Sequence, residues 1–395
     1  MKTLQKSILT ILLGALCLSM WAQDSSVKID VNSSAGNNGV FIGHLAGEYV
    51  GNMIDNTYIG YKAGMSNTEN RNTYVGSYAG SEGTTGIYNT VMGYSAGRNF
   101  GASNSVFIGA ESGISNVTGG FSVYIGRSAG KSIVNKEGTT IVGAFAGEFS
   151  TAEHNTLIGY LSGRALQGKK NAFLGAQSGS LLEQGEENTL LGTQAAYEMT
   201  TGNQNTIVGV DAAQHKLTGD GNVFIGFESG WENFNGNDNV FIGNQSGRLV
   251  RGSNQLYIEN SDTVTAPLIY GDFENDKVGI NTNNVPDGYA FAVRGNIIAE
   301  EIRLRLYEEG WPDYVFQPEY NMMTLEETEQ QIKTLGHLPG VPSAQEVGTD
   351  GIQIGEMNAI LLEKIEELTL HMIDMNKEVK ALRKENQALR EMINE

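Results

Sequence analysis

The residues that could carry out acid–base chemistry are scattered along the chain. Acidic residues such as Glu186, Glu187 and Asp220 lie in segments expected to be turns, and the sequence places no two of them across one cleft, as a polysaccharide hydrolase or lyase requires. The five histidines, none of which has a partner motif, are His44, His154, His215, His337 and His371. We therefore predict no catalytic residue and a protein that is not an enzyme. A polysaccharide-acting hydrolase or lyase is the alternative.

Oxygen-rich turns are the remaining candidates for metal binding. Residues 218–222 and 235–239 place Asp and Asn oxygens at corners where Ca²⁺ could bind weakly. The Gly-Gly-x-Gly-x-Asp phrase typical of calcium-binding β-roll turns is not repeated, and turn formation alone explains these residues. The sequence predicts no metal site and no cofactor.

A short phrase that occurs thirteen times defines the repeating unit on which most of these residues lie. It reads Asn-Thr-aromatic-Ile/Val-Gly-x-x-Ala/Ser-Gly, and its clearest copy runs from Asn72 to Gly80. Successive copies are always 16 or 17 residues apart, and a fixed period of this kind predicts a solenoid. The first glycines of the copies are Gly43, Gly60, Gly76, Gly93, Gly109, Gly126, Gly143, Gly159, Gly175, Gly192, Gly209, Gly226 and Gly243.

The residue types in the phrase favour strand over helix. Tyr, Phe, Val, Ile and Thr are strand formers, and glycine is a poor helix former. One period has room for two short strands and two turns, and stacked strands pair about 4.8 Å apart. All six prolines, each of which would remove a ladder donor, lie at or after Pro267. The sequence therefore predicts a mainly β protein with a parallel β-solenoid of 13–14 rungs over residues 35–260.

Three columns of the repeat have predicted structural roles. The residue before the first glycine is always Ile, Val, Leu or Met, as at Ile42 and Ile158, and is expected to face a dry interior. The second glycine is expected at a tight corner, with Ala196 and Ala213 as exceptions. Asparagines four residues before the first glycine are expected to form a structural ladder. They are Asn56, Asn72, Asn89, Asn155, Asn171, Asn188, Asn205, Asn222 and Asn239.

Residues 1–22 are typical of a secretory signal peptide. Lys2 and Lys6 precede an apolar run that is short for a membrane span, and no other stretch approaches 18 apolar residues. The single cysteine, Cys17, lies in this segment, so we expect no disulfide in the mature chain. The net charge of −19, with no basic cluster, argues against nucleic-acid and anionic-membrane partners.

The C-terminal third has a different pattern. Residues 261–350 are predicted to form a connector of short strands and loops, in which Thr324 with Glu327 is typical of a capping box at the start of a short helix. Residues 352–395 follow heptads, which predict a C-terminal α-helical coiled coil. One core position is taken by Ile365, Met372, Val379, Asn386 and Ile393, and the other by Leu361, Leu368, Met375, Leu382 and Leu389.

The repeats resemble the heads of trimeric autotransporter adhesins of the YadA type. Residues 222–226 and 239–243, both Asn-Val-Phe-Ile-Gly, are similar to that family's recurring Asn-Ser-Val-Ala-Ile-Gly. The resemblance covers residues of about 35 to 260, although the rungs here are slightly longer than the family's. It implies a left-handed β-roll, three chains side by side and a coiled-coil stalk. It also implies a location in the secreted fraction or on the outer surface of a Gram-negative bacterium.

Residues 270–395 resemble the C-terminal module of secreted bacterial tail-fibre proteins, through residues 311–314 (Trp-Pro-Asp-Tyr) and 337–343 (His-Leu-Pro-Gly-Val-Pro-Ser). No Ser with a paired Lys or Asp matches the arrangement of the self-cleaving domain that some phage fibres carry, so we do not expect cleavage. Branched residues beside leucine, with Asn386 in the core, favour a dimer, whereas the head resemblance implies three chains. We predict a homotrimer, with a dimer as the alternative.

Loops carried by a rigid scaffold are where binding specificity usually lies. We expect the loops at residues 82–85 and 183–187 to have this role. We therefore expect a structural, adhesin-like fibre that binds a matrix protein or a glycan multivalently.

Overall fold

The computed structural model describes residues 38–49, 53–116, 118–215, 217–305 and 311–394. The predicted signal peptide, residues 1–22, lies outside the described residues. The chain divides after Ile297 into two compact units, which are described separately.

The first unit is mainly β and is built on a long parallel ladder. Each strand from β1 to β13 pairs in parallel with the next strand along the chain, so that Tyr58 lies opposite Tyr74 and Phe224 opposite Phe241. The predicted parallel β-solenoid is therefore confirmed. Its strands are β1 (Val40–Ile42), β2 (Thr57–Ile59), β3 (Thr73–Val75), β4 (Thr90–Met92), β5 (Val106–Ile108), β6 (Val123–Ile125), β7 (Thr140–Val142), β8 (Thr156–Ile158), β9 (Ala172–Leu174), β10 (Thr189–Leu191), β11 (Thr206–Val208), β12 (Val223–Ile225), β13 (Val240–Ile242) and β14 (Gln255–Ile258).

Three further strands continue this sheet beyond the last repeat. β15 (Ile269–Asp272) pairs antiparallel with β14, and β16 (Lys277–Ile280) pairs antiparallel with β15. β17 (Phe291–Val293) then pairs in parallel with β16. The hairpin strands cover the C-terminal edge of the ladder, which would otherwise present unpaired backbone groups.

The interior of the solenoid is a column of large apolar side chains, one from the middle of each strand. Tyr58 and Leu157 are fully buried. Small residues three positions after the first glycine, such as Ala63 and Ala79, are buried beside them. Below the partly buried Phe41, the column consists of Tyr58, Tyr74, Val91, Phe107, Tyr124, Ile141, Leu157, Phe173, Leu190, Ile207, Phe224, Phe241 and Tyr257.

The column predicted to face the interior, the residue before the first glycine, lies on the outside instead. Ile158 is half-buried beside the fully buried Leu157, and Leu174 and Leu191 are 47% and 41% exposed. Side chains of a strand alternate between its faces, so an inward-facing middle residue turns both of its neighbours outward. The prediction was wrong because two adjacent columns are apolar in every rung, and apolar character alone does not say which one points inward.

Each repeat contains one three-residue strand, not the two for which the period has room. The second side of each rung is a series of turns whose backbone still bonds to the next rung. The N–H of Gly64 donates to the carbonyl of Ala79 (2.9 Å), and that of Gly80 to the carbonyl of Ala96 (3.0 Å). Tyr78 and Gly80 have φ values of 62° and 57°, outside the strand region. The ladder is therefore continuous on this side without regular strands.

The second unit is helical. A 3₁₀ turn (Pro312–Phe316) precedes α1 (Leu325–Leu335), α2 (Ala344–Asp350) and α3 (Ile354–Asn394). The predicted capping box of Thr324 and Glu327 forms at the start of α1, which ends at Gly336 in the left-handed conformation. α3 is one helix of 41 residues. Among the described residues, no helix is both long enough and apolar enough to cross a membrane.

The two neighbours Leu157 and Ile158 provide a direct test of which column is inside. We expect Leu157→Asp to destabilise the solenoid by several kcal/mol, because it buries a charge with no partner. Ile158→Asp, one residue further on and facing outward, should cost about 1 kcal/mol or less. Thermal melting followed by circular dichroism compares the two. An equal loss in both variants, or a larger loss at Ile158, would show that the interior has been misassigned.

Candidate binding surfaces and the columns that build them

The first glycine of each repeat lies where the backbone of one rung passes directly over the next. All thirteen have φ between 122° and 150°, which L side chains rarely adopt. A Cβ on Gly76 would lie 2.5 Å from the carbonyl oxygen of Gly93, and one on Gly126 2.5 Å from that of Gly143. A backbone oxygen cannot rotate away as a side chain can. The predicted structural glycines that share this geometry are Gly43, Gly60, Gly76, Gly93, Gly126, Gly159, Gly226 and Gly243.

The second glycine serves a different contact. Eleven of the thirteen positions are glycines with φ between 49° and 65°, and a Cβ there would approach the interior column: on Gly80 it would lie 2.7 Å from the ring of Tyr74. Ala196 and Ala213 occupy the same conformation, with φ of 52° and 49°, in rungs whose interior residue is aliphatic. This column therefore tolerates alanine in some rungs, whereas the first column is glycine throughout.

The asparagine column forms a buried, hydrogen-bonded ladder. The side-chain carbonyl of Asn188 accepts from the backbone N–H of Asn205 (3.0 Å), and the Asn188 amide donates to the carbonyl of Gly202 (2.9 Å). These hydrogen bonds satisfy backbone groups of the turn before each strand and link that turn to the next rung. The predicted residues Asn56, Asn72, Asn89 and Asn155 are buried and make corresponding contacts.

The residues before the first glycine form a line along the outside of the solenoid, here called the outer apolar column. Because the strands pair in register, each residue lies beside its counterpart in the next rung, as Leu174 does beside Leu191. Exposure reaches 36–47% at five of the thirteen positions. The other eight positions are half-buried, so the column is a partly exposed apolar line along the rod. The column is Ile42, Ile59, Val75, Met92, Ile108, Ile125, Val142, Ile158, Leu174, Leu191, Val208, Ile225 and Ile242.

A second external line, here called the aromatic row, lies on the turns of the first four rungs. It consists of His44, Tyr61, Tyr78 and Tyr94, whose successive ring centroids are 5.8, 5.1 and 6.2 Å apart. Tyr61 is 39% exposed and Tyr94 57% exposed. The row arises because each of these consecutive rungs has an aromatic residue at one of the two positions that follow the first glycine. Our sequence reasoning did not single it out, although this spacing could have shown it.

The loops predicted to carry binding specificity lie along the same rod. Glu82 accepts from Arg98 Nε of the next rung at 2.6 Å. Glu187 accepts from Lys170 Nζ at 2.9 Å, and this hydrogen bond lowers the pKa of the Glu187 carboxyl. A shallow polar groove of about 490 Å³ is lined in part by Gln184 and Glu186. Two of the four charged residues in these loops, Glu82 and Glu187, therefore pair with neighbouring rungs.

In the second unit, tyrosines of the connector fix the start of α3. Tyr314 donates to Glu363 at 2.5 Å and Tyr320 donates to Glu367, while Lys364 bridges the two carboxylates at 2.7 and 3.0 Å. An apolar cavity of about 400 Å³ lies between α1 and α3. The predicted heptad residues Ile365, Leu368, Met372, Met375, Val379, Leu382 and Leu389 are 44–58% exposed along α3. Asn386 is also exposed, and its amide donates to the carbonyl of Leu382.

The histidines are separated from one another. His215 lies 3.2 Å from a carboxylate oxygen of Glu198 and its ring packs against Trp231, whereas His337 contacts the backbone of Leu338. In the part of the chain that the structure describes, no group of three or more His, Cys, Asp or Glu side chains is placed to hold a metal ion.

Comparisons with known protein families, with curated proteins and with solved structures return no match. The surfaces of the solenoid and of α3 are therefore the main guide to function.

Two buried tyrosines differ in how their hydroxyls are satisfied. The hydroxyl of Tyr58 donates to Asn67 Oδ1 at 3.0 Å. That of Tyr124 has no hydrogen-bond partner among the described residues. Burial raises the pKa of Tyr124 to about 12, because the phenolate would be desolvated.

Replacing a glycine of the first column tests the backbone contact. Gly76→Ala should destabilise the solenoid by more than about 1 kcal/mol, because a Cβ meets backbone at an unfavourable φ. Ser77→Ala, the next residue, should change stability by less than about 0.5 kcal/mol. Urea unfolding of both variants measures the difference. A Gly76→Ala variant as stable as Ser77→Ala would mean that the rungs are not in such close contact.

The two tyrosines provide a matched pair. Tyr58→Phe should cost about 1 kcal/mol, because it removes a buried hydrogen bond to Asn67 Oδ1, whereas Tyr124→Phe should be neutral or stabilising. The pKa of Tyr124 in the folded state lies above its unfolded value of about 10, so neutral Tyr124 supports the fold below pH 10 and this support is lost as the pH rises through about 12.

Melting temperatures measured from pH 8 to 12 should therefore fall less steeply for Tyr124→Phe than for wild type. Identical pH profiles would contradict this assignment, and so would equal destabilisation by the two substitutions at pH 8.

Proposed function

We propose that this protein is a structural, adhesin-like fibre in which three chains pack through the outer apolar column. The observation that carries the proposal is that this apolar column is at least partly exposed in all thirteen rungs and 36–47% exposed in five of them. Association of copies along this line would remove it from water, and each rung would contribute the same contact. The resemblance to YadA-type heads supports three chains and a left-handed β-roll.

The exposed heptad residues of α3 support self-association independently. An apolar seam along a 41-residue helix is stabilised when other helices cover it, and copies of the same seam fit it best. We propose that α3 forms the coiled-coil stalk of the trimer, with a dimer as the alternative. The resemblance to tail-fibre modules is consistent with a stalk at this end of the chain.

A rigid rod with repeated surfaces suits multivalent binding. Each weak contact recurs along one solenoid, and assembly multiplies the copies, so that avidity compensates for low affinity. We propose a matrix protein or a glycan as the ligand, and a location in the secreted fraction or on the outer surface of a Gram-negative bacterium. Residues 1–22, which are typical of a signal peptide, support export.

Light scattering of residues 23–395 tests the assembly. The wild type should have three times the mass of one chain. The double variant Leu174→Glu/Leu191→Glu should associate less tightly than the wild type at micromolar concentration, because it places charge in the buried centre of the proposed interface. A matched control, Leu181→Glu/Leu249→Glu, changes leucines of similar exposure in a different column and should remain trimeric.

A monomeric wild type would overturn the fibre proposal, and a dimer would mean that the seam of α3 sets the stoichiometry. Binding of the same proteins to immobilised matrix proteins and glycans then tests function, with the dissociated variant expected to bind more weakly. Release of reducing sugar during this assay would place the protein among polysaccharide-acting enzymes instead.

A further inference from the structure

We propose that the aromatic row, with Lys62 beside it, is a binding strip for an acidic polysaccharide. The proposal rests on the proposed function, because it names a ligand class and a surface for the same fibre. It moves recognition from the loops at residues 82–85 and 183–187 to the turns of the first four rungs.

The geometry of the row suits an extended ligand. His44, Tyr61, Tyr78 and Tyr94 belong to four consecutive rungs, so the row runs along the stack and not around one rung. The spacing of the rungs is set by the backbone ladder, and each tyrosine has only two side-chain torsions to fix. Binding would therefore order little that is not already ordered.

The chemistry of the row suits sugar rings. The face of a tyrosine ring carries partial negative charge and attracts the partly positive C–H groups that line one face of a pyranose. The ring of Tyr94, 57% exposed, offers such a surface, whereas Tyr61 stacks on His44 at an interplanar angle of 9°. The phenol hydroxyls of both tyrosines can exchange hydrogen bonds with sugar hydroxyls.

The charges beside the row favour an anionic chain. Lys62 Nζ lies 5.4 Å from the ring centroid of Tyr61 and 5.8 Å from that of Tyr78. Within the described residues, no carboxylate forms an ion pair with Lys62. Arg98 stacks over Tyr78 at 5.3 Å while paired with Glu82. The chain has a net charge of −19, but Lys62 is half-exposed and lies between aromatic rings. It would attract the carboxylates of uronic acids locally.

The row is continuous over four rungs only near the start of the solenoid. At the first position after the glycine, later rungs carry alanine at Ala110, Ala144 and Ala176. Phe145 and Tyr160, at the same repeat positions and with ring centroids 6.3 Å apart, recur as an isolated pair. The backbone at these positions is the same in both parts of the solenoid, so the fold does not require aromatic side chains here.

Affinity electrophoresis of residues 23–395 tests the strip, with polygalacturonate in one gel and dextran in another. We expect polygalacturonate to retard the wild type and dextran to leave it unretarded. Tyr61→Ala/Tyr94→Ala should weaken retardation at least tenfold, and Lys62→Gln should weaken it measurably. The control Tyr88→Ala/Phe121→Ala, which removes two exposed aromatic residues of a different column, five positions before the first glycine, should behave as wild type.

Three results would overturn the inference: no retardation of the wild type by polygalacturonate, equal losses in the row variant and its control, or equal retardation by dextran. The mass of each sample, measured by light scattering, tests the trimer separately from polysaccharide binding. A trimer that does not bind polygalacturonate refutes the strip alone, whereas a monomeric wild type refutes the assembly whether or not it is retarded.

Discussion

The close contact between first glycines of successive rungs is the constraint on which the solenoid depends. Each glycine lies over a backbone carbonyl of the next rung, at a distance that leaves no room for a Cβ, as at Gly126 over Gly143. Contact at the same repeat position in every rung holds the strands in register. It also explains why the length of the variable loop can change by one residue while the phrase itself keeps its length.

Because the strands pair in register, residues at the same repeat position form a line along the solenoid. Inside, the middle residues of the strands form one apolar column, and the asparagines form a hydrogen-bonded ladder beside it. Outside, the residues before the glycine form the outer apolar column. None of these features would arise from a single rung, because one rung buries too little to be stable alone. Stability and surface pattern therefore have the same origin.

The sequence predicted the period, the strand type and the parallel solenoid, because a repeated phrase of strand formers and glycines has few other solutions. It did not predict which apolar column is internal. Leu157 and Ile158 are equally apolar, and a three-residue strand is too short to show an alternation. The sequence also allowed two strands in each rung, whereas the structure has one. Tyr78 and its counterparts adopt left-handed dihedrals, which residue type does not reveal. The capping box of Thr324 and Glu327 was recognisable, because its two residues lie three positions apart in sequence.

The turn positions show how such a fold can carry function without losing stability. The second residue after the first glycine is non-glycine and left-handed in all thirteen rungs, with φ between 50° and 62°. A single residue of this kind is costly, and it persists where the surroundings determine its conformation. Here the neighbouring rungs do so, since Tyr78 donates its N–H to Tyr61 and Lys62 donates to His44. The backbone at this corner is fixed by the ladder and not by the side chain, so Lys62, Tyr78 or Gln177 can occupy it. A solenoid of this type can therefore change the chemistry of its outer turns rung by rung while its interior stays the same.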